Sequence, residues 1–386
     1  MSRTVLALCL TAGILLTGCA TVSNTVDKLN PFASSGPKPT ELKSIQATAE
    51  VRLRWSMNIG KAGDYVFAPA VVGNSVYVAA ADGSIARLDG GAPAWRIKAG
   101  QMLSAGVGSD GKLVVVGTAK GEVLAFSAAD GKPLWRARVS SEVLATPTVG
   151  AEGVAVRSGD NRIFLLDAGD GSRKWFYQRA TPALSLRGFA PPIFADRFLM
   201  AGFPAGKLVL LDLRNGAPVW EGTVALPKGA TELDRIADIV SLPVVEGNLV
   251  CAVAFQGRVA CFDLGQGGQL TWGRDLSSSS GLSIDNRYLY VSDDKGVVHS
   301  LDRSSGSSIW KQDKLANRRL SAPLARRTLV AVGDLAGQVH FLRREDGDFA
   351  ARLATDGTAI RAAPQLFGSD VLIQTSGGMV AAIEVR

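Results

Sequence analysis

The sequence is poor in the residues from which most active sites are built. Two histidines and four cysteines occur in 386 residues, and no Cys-x-x-Cys-His, Gly-x-Ser-x-Gly, phosphate loop or metal-spaced ligand cluster is present. No catalytic residue, metal or cofactor is therefore expected, and His299 and His340, which lack neighbouring ligand types, are read as structural. Runs of like charge are missing too. The formal net charge is +7, but Lys and Arg are scattered, without the basic and aromatic stripe that a nucleic-acid surface needs, so no nucleic-acid partner is expected. Methionine is scarce at 5 residues, whereas glycine reaches 43 and 47% of the chain is apolar. That balance excludes compositional disorder and favours short strands joined by tight turns, an all-β chain.

The one long apolar run, Val5 to Leu16, follows a basic residue and precedes Leu16-Thr17-Gly18-Cys19. It is too short to span a bilayer and reads as the core of a signal peptide, residues 1–18. The four residues ending at Cys19 resemble a bacterial lipobox, which implies acylation of Cys19 as the mature N-terminus and anchoring by several acyl chains. Ala20 in the next position implies sorting to the outer membrane. Residues 19–50 are polar, carry Pro31, Pro37 and Pro39, and show almost no periodicity; they are expected to be a lipidated flexible tether.

From residue 51 to 386 a repeat takes over. Tryptophans fall at Trp55, Trp95, Trp135, Trp175, Trp220, Trp272 and Trp310, at intervals of 40, 40, 40, 45, 52 and 38 residues. A period near 40 marks a repeat architecture. Eight apolar hairpins are legible, the first from Val76 to Asp89 around Asp82-Gly83 and the last from Val371 to Val385 around Gly377-Gly378. Turns of type I′ are expected in them, since Gly, Asn and Asp tolerate positive φ. Before the Trp strand recurs Asp, three residues, Gly, three residues, Trp, intact in Asp167 to Trp175, Asp212 to Trp220 and Asp302 to Trp310. The Asp caps its turn, the Gly adopts a left-handed conformation and the Trp packs between sheets.

Four short strands per unit bury their faces only against similar neighbours, and a ring removes the open ends. The last unit stops after its third strand, while residues 52 to 59, around Trp55, have no hairpin before them. The expected fold is an eight-bladed β-propeller of four-stranded antiparallel blades, its ring closed by the N-terminal strand.

The Trp-anchored repeat resembles that of the pyrroloquinoline-quinone dehydrogenase superfamily over residues 50 to 386, without that superfamily's long insertions, calcium site or adjacent cysteines. Lipobox, tether and propeller together resemble the BamB family of outer membrane assembly factors along essentially the whole chain. Two segments carry the likeness furthest: Leu184-Ser185-Leu186-Arg187-Gly188, and Thr231 to Asp238, in the two long intervals of the repeat. The resemblance implies that Leu184, Leu186, Arg187 and Asp238 contact the periplasmic domains of BamA. A second acidic position of the family is Val240 here, so the resemblance does not carry that contact over. The same residues also suit bland roles: packing of a strand edge for the two leucines, and a salt bridge between Arg187 and Asp238.

The implied function is a non-catalytic scaffold in the machinery that assembles and inserts outer-membrane β-barrels. Its expected partners are BamA, other assembly lipoproteins and nascent outer-membrane proteins, with the chain facing the periplasm from its lipid anchor. The alternative from another class is a periplasmic quinone-dependent oxidoreductase. Cys251 and Cys261, on the two arms of one hairpin, are candidates for a disulfide, though sequence leaves register and side-chain direction open.

Overall fold

The computed structural model describes residues 37–386; Cys19 and the signal segment lie outside them. Eight sheets follow one another along the chain, each with four antiparallel strands paired in sequence order. The fold is an eight-bladed β-propeller. Blade 1 begins at Ala70–Val72 and blade 8 at Gln365–Phe367. The outer strand of blade 8 is Val51–Asn58, which pairs antiparallel with Met379–Val385, Val51 facing Val385 and Asn58 facing Met379. Arg54 reaches past that partner to Asp370 on the next strand, at 2.8 Å. Blade 2 carries a fifth strand, Val66–Phe67, parallel to Ala105–Gly106, too short to leave a periodic signal in the sequence.

Successive blades are stitched near the axis by side chains that donate to a neighbour's backbone. Gln365 Nε2 donates to Pro69 O at 2.8 Å between blades 8 and 1, Ser104 Oγ to Val143 O at 2.6 Å between blades 2 and 3, and Ser280 Oγ to Leu320 O at 2.7 Å between blades 6 and 7. The apolar core is likewise divided. Eight hydrophobic clusters occur among the described residues, one between each pair of adjacent blades. On the strand Ser75–Ala79, Val76 and Val78 enter the cluster shared with blade 8, while Tyr77 and Ala79 enter the one shared with blade 2. Both faces of a second strand such as Ser75–Ala79 or Leu113–Gly117 are thus dry, so these strands read as unbroken apolar runs, whereas the outer strands alternate.

The tryptophans explain the Asp–Gly–Trp spacing. Each ring lies against the left-handed Gly of the following blade's turn: a Cβ on Gly171 would sit 2.5 Å from Trp135, and one on Gly216 2.6 Å from Trp175. Only glycine satisfies both the backbone and the ring. The indole N–H then donates to a carbonyl of the same turn, Trp135 to Ala168 O at 2.9 Å and Trp175 to Leu213 O at 2.7 Å. Trp55 is the exception. Its turn in blade 1 is the short one, Asp89 to Trp95, and the buried Trp55 Nε1 meets no acceptor.

Five hairpin turns differ from the expected type I′, while in blade 4 Ala205 and Gly206 both take the positive φ that type needs. In blades 1, 2, 6, 7 and 8 a three-residue loop ends on one left-handed glycine, as in blade 1, where Gly83 N donates to Ala80 O at 3.2 Å and Ala80 N to Ser84 O at 2.9 Å. This is a type I turn with a glycine bulge. It leaves room for the adjoining interblade loop, since a Cβ on Gly83 would lie 2.5 Å from Gln101 O. In blade 5, Cys251 and Cys261 are directly opposed, with Cα atoms 4.1 Å apart, and their sulfurs form a disulfide within the core shared with blade 6.

The flexible tether expected over residues 19–50 needs correction at its C-terminal end. Residues 39–50 belong with the propeller, strapped across blade 7. Thr40 N donates to Ala316 O at 3.0 Å and Thr48 N to Ala350 O at 2.8 Å; Leu42 packs on the cluster between blades 6 and 7. Two guanidiniums catch strap carbonyls, Arg318 that of Thr40 at 2.9 Å and Arg352 that of Lys43 at 3.0 Å. Behind them, buried Asp334 accepts from Arg318 Nε at 2.6 Å and is 2.9 Å from His340 Nε2, while Arg352 Nε reaches His340 Nδ1 at 3.2 Å. A segment held by side chains to its carbonyls has no periodicity to read. His299 pairs with Asp293 at 3.0 Å in the corresponding place of blade 6.

Candidate functional site

The rigid ring sets the two long interblade connections, residues 178–192 and 224–243, side by side on the face that also carries the hairpin turns between second and third strands. The second connection is stiffened by its own side chains. Asp234 Oδ2 accepts from Thr231 N at 3.1 Å and from Thr231 Oγ1 at 2.8 Å, and Thr231 Oγ1 accepts from Asp234 N at 3.2 Å. This reciprocal cap closes a single turn, which presents Leu233 to solvent at 65% exposure. Arg235 pairs with Glu232 at 3.1 Å on the same turn. Beneath it, the amide of Gln256 lies within 3.1 Å of Leu233 O and 3.0 Å of Ile236 O, so its NH2 group holds the turn on blade 5.

Asp238 is buried, at 1% exposure. Its carboxylate accepts the N–H of Leu186 at 2.7 Å and that of Ala205, in the blade 4 hairpin turn, at 3.1 Å. Burial pushes its pKa up, and the two amides hold it back. The loops are linked by a backbone amide, not by the Arg187–Asp238 salt bridge that the two charges also suit. Arg187 turns the other way, with Nε 3.2 Å and Nη2 2.6 Å from the two carboxylate oxygens of Glu142 in the connection between blades 2 and 3. Glu142 is itself fixed, since its carbonyl accepts Gly159 N at 2.7 Å.

Three connections are thereby linked in series, Glu142 to Arg187 and Leu186 to Asp238. Leu184 stands exposed at 43%, Leu186 is half-buried and Arg187 exposed. Val240 lies against Gly188, an apolar contact inside the platform. Of the four residues picked from sequence, Leu184, Leu186 and Arg187 form a surface and Asp238 supports it from below. Glu142, Ala205 and Gln256 had no signal in the sequence, because each contact spans blades that only the ring brings together. Among the described residues, no group of three or more His, Cys, Asp or Glu is placed to hold a metal ion. The arrangement presents an apolar tip, a guanidinium and a stiff base.

Residues 81–312 match the family model described as outer membrane protein assembly factor BamB. The BamB of Bordetella pertussis is 43% identical over 382 residues, covering 98% of this chain and 97% of that protein. The crystal structure of BamB from Moraxella catarrhalis superposes with a TM-score of 0.81 at 29% identity, covering 87% of this chain and all of that one. A quinohemoprotein alcohol dehydrogenase from Comamonas testosteroni, at TM-score 0.68 and 13% identity over 86% of this chain and 76% of that one, shares the fold alone. With its model match, near-complete coverage and shared architecture, the chain belongs to the BamB family of outer membrane protein assembly factors.

Proposed function

We propose that the propeller is a non-catalytic scaffold of outer-membrane protein assembly, and that it docks the periplasmic domains of BamA through Leu184, Leu186 and Arg187, with Asp238 holding their loop in shape. The observation that supports this most is the platform itself: two long connections, cross-linked to each other and to the blades, that leave an apolar tip and a guanidinium in solvent. A surface stiffened before binding loses little entropy on docking. We further propose anchoring by a lipid on Cys19, on the periplasmic face of the outer membrane, with other assembly lipoproteins and nascent outer-membrane proteins as further partners.

The test is direct binding of the BamA periplasmic region to purified propeller. Arg187→Ala and the double variant Leu184→Ala plus Leu186→Ala should each weaken binding by about tenfold or more, as loss of a central contact does, with melting temperatures unchanged. Lys311→Ala, in blade 6, should bind like the parent. Full affinity in both folded loop variants would remove this surface from the contact.

A further inference from the structure

The contact between Glu142 and Arg187 uses one side of a planar group and leaves another free. A guanidinium has five N–H donors in a fixed fork, able to grip one carboxylate through Nε and Nη2 and a second through Nη1 and Nη2. Glu142 takes the first grip, at 3.2 and 2.6 Å. Nη1 has no partner among the described residues, and the Arg187 side chain is 66% exposed against 27% for Glu142. Glu142 cannot follow Arg187 outward easily, because its carbonyl is bonded to Gly159 N and its Cγ packs over that glycine. One amino acid further back, the Leu186 amide is pinned by Asp238 at 2.7 Å. Arg187 is thus fixed at its backbone side and along one edge.

We infer that Glu142 is a positioning residue of the docking surface, orienting Arg187 so that its free Nη1 edge is offered to a carboxylate of the partner beside the apolar tip of Leu184. This rests on the reading of Arg187 as a contact residue. The partner patch it fits carries an Asp or Glu flanked by an apolar side chain. An exposed ion pair contributes little to stability; its value here is the rotamer freedom already removed from a long side chain before the partner arrives. Lysine cannot substitute, since one ammonium lacks the second edge.

The experiment is a mutant cycle on the full propeller, with affinity for the BamA periplasmic region and melting temperature as readouts. Glu142→Ala should weaken binding by about threefold, the scale of an exposed pair, and Glu142→Asp should restore part of the loss. Arg187→Lys should bind as weakly as Arg187→Ala. In the Arg187→Ala background Glu142→Ala should have no further effect, which a merely structural role for Glu142 would not produce. If Glu142→Ala binds as well as or better than the parent while Arg187→Ala binds weakly, the positioning role is wrong and the docking reading stands. If Arg187→Ala and the double leucine variant both bind fully, the docking reading itself has failed.

Discussion

Asp238 accepts the backbone N–H of Leu186 at 2.7 Å across 52 residues of sequence, so one buried carboxylate sets the shape of a loop that is not its own. Removing it in Asp238→Ala should cost about 1–3 kcal/mol through lost hydrogen bonds and two orphaned amides. The Leu186 and Ala205 amides should exchange with deuterium much faster, while amides of blades 7 and 8 are unaffected. Unchanged exchange at Leu186 would show that the loop holds itself.

The indole contacts predict a difference between two chemically identical changes. Trp175→Phe loses the bond to Leu213 O as well as ring area, whereas Trp55→Phe removes an N–H that has no acceptor. Trp175→Phe should therefore be more destabilising than Trp55→Phe by about 1 kcal/mol, measured by denaturant titration. Gly171→Ala should cost more still, because the new methyl meets the Trp135 ring in a left-handed backbone. Gly247→Ala, also left-handed but with open space around it, should lose only the conformational penalty of about 1 kcal/mol.

The strap across blade 7 predicts a stepwise response to truncation. Deleting residues 20–38 should leave the melting temperature where it is. Extending the deletion to residue 48 removes the carbonyls that Arg318 and Arg352 grip and should lower it by several degrees, as loss of about 1–3 kcal/mol does. Extending it to residue 60 also removes the strand paired with Met379–Val385 and should lower it far more. Identical melting for the first two deletions would show that the strap adds nothing.

The charges behind the strap make its stability depend on pH. Burial lowers the His340 pKa from its ordinary 6.5, and the neighbouring Asp334 does not offset this. Burial raises Asp334, but hydrogen bonds from His340, Gln338 N and Arg318 outweigh it and bring it down to about 2. Both folded values lie below the unfolded ones, so both groups stabilise the fold above the unfolded pKa and lose that contribution as pH falls. His340 should lower stability as pH drops below its ordinary 6.5, and Asp334 between 3.8 and about 2. His340→Gln should flatten the upper part of this profile, read as melting temperature against pH. A parent profile with no slope below pH 6.5 would contradict the assignment.

What could be read from sequence divides along one physical line. Trp95 to Trp310, the apolar hairpins and the left-handed glycines such as Gly171 are local and recur, so period and turn chemistry expose them. The long connections around Leu184 and Thr231 stood out as breaks in that period, which is why part of the candidate surface was legible. Glu142, Gln256 and Ala205 were not, because their contacts join different blades and depend on how far the ring rotates between them. The family resemblance places Asp238 at the contact surface, but two backbone amides draw it in. The strap looks like a tether in the sequence because its fixed points are carbonyls, which every sequence has.

Blade 8 is assembled from the two ends of the fold, Val51–Asn58 against Met379–Val385, and this gives the molecule a clock. The strand made first must wait for the strand made last. Until residues near Val385 reach the compartment where the chain folds, the backbone donors and acceptors of Val51–Asn58 have no strand to pair with, and neither Trp55 nor Arg54 has its blade. Each intermediate blade finds its predecessor already present, whereas the ring as a whole stays open until the entire repeat has arrived. A chain interrupted anywhere before its last hairpin therefore carries an unpaired edge at its beginning, visible to whatever recognises incomplete sheets.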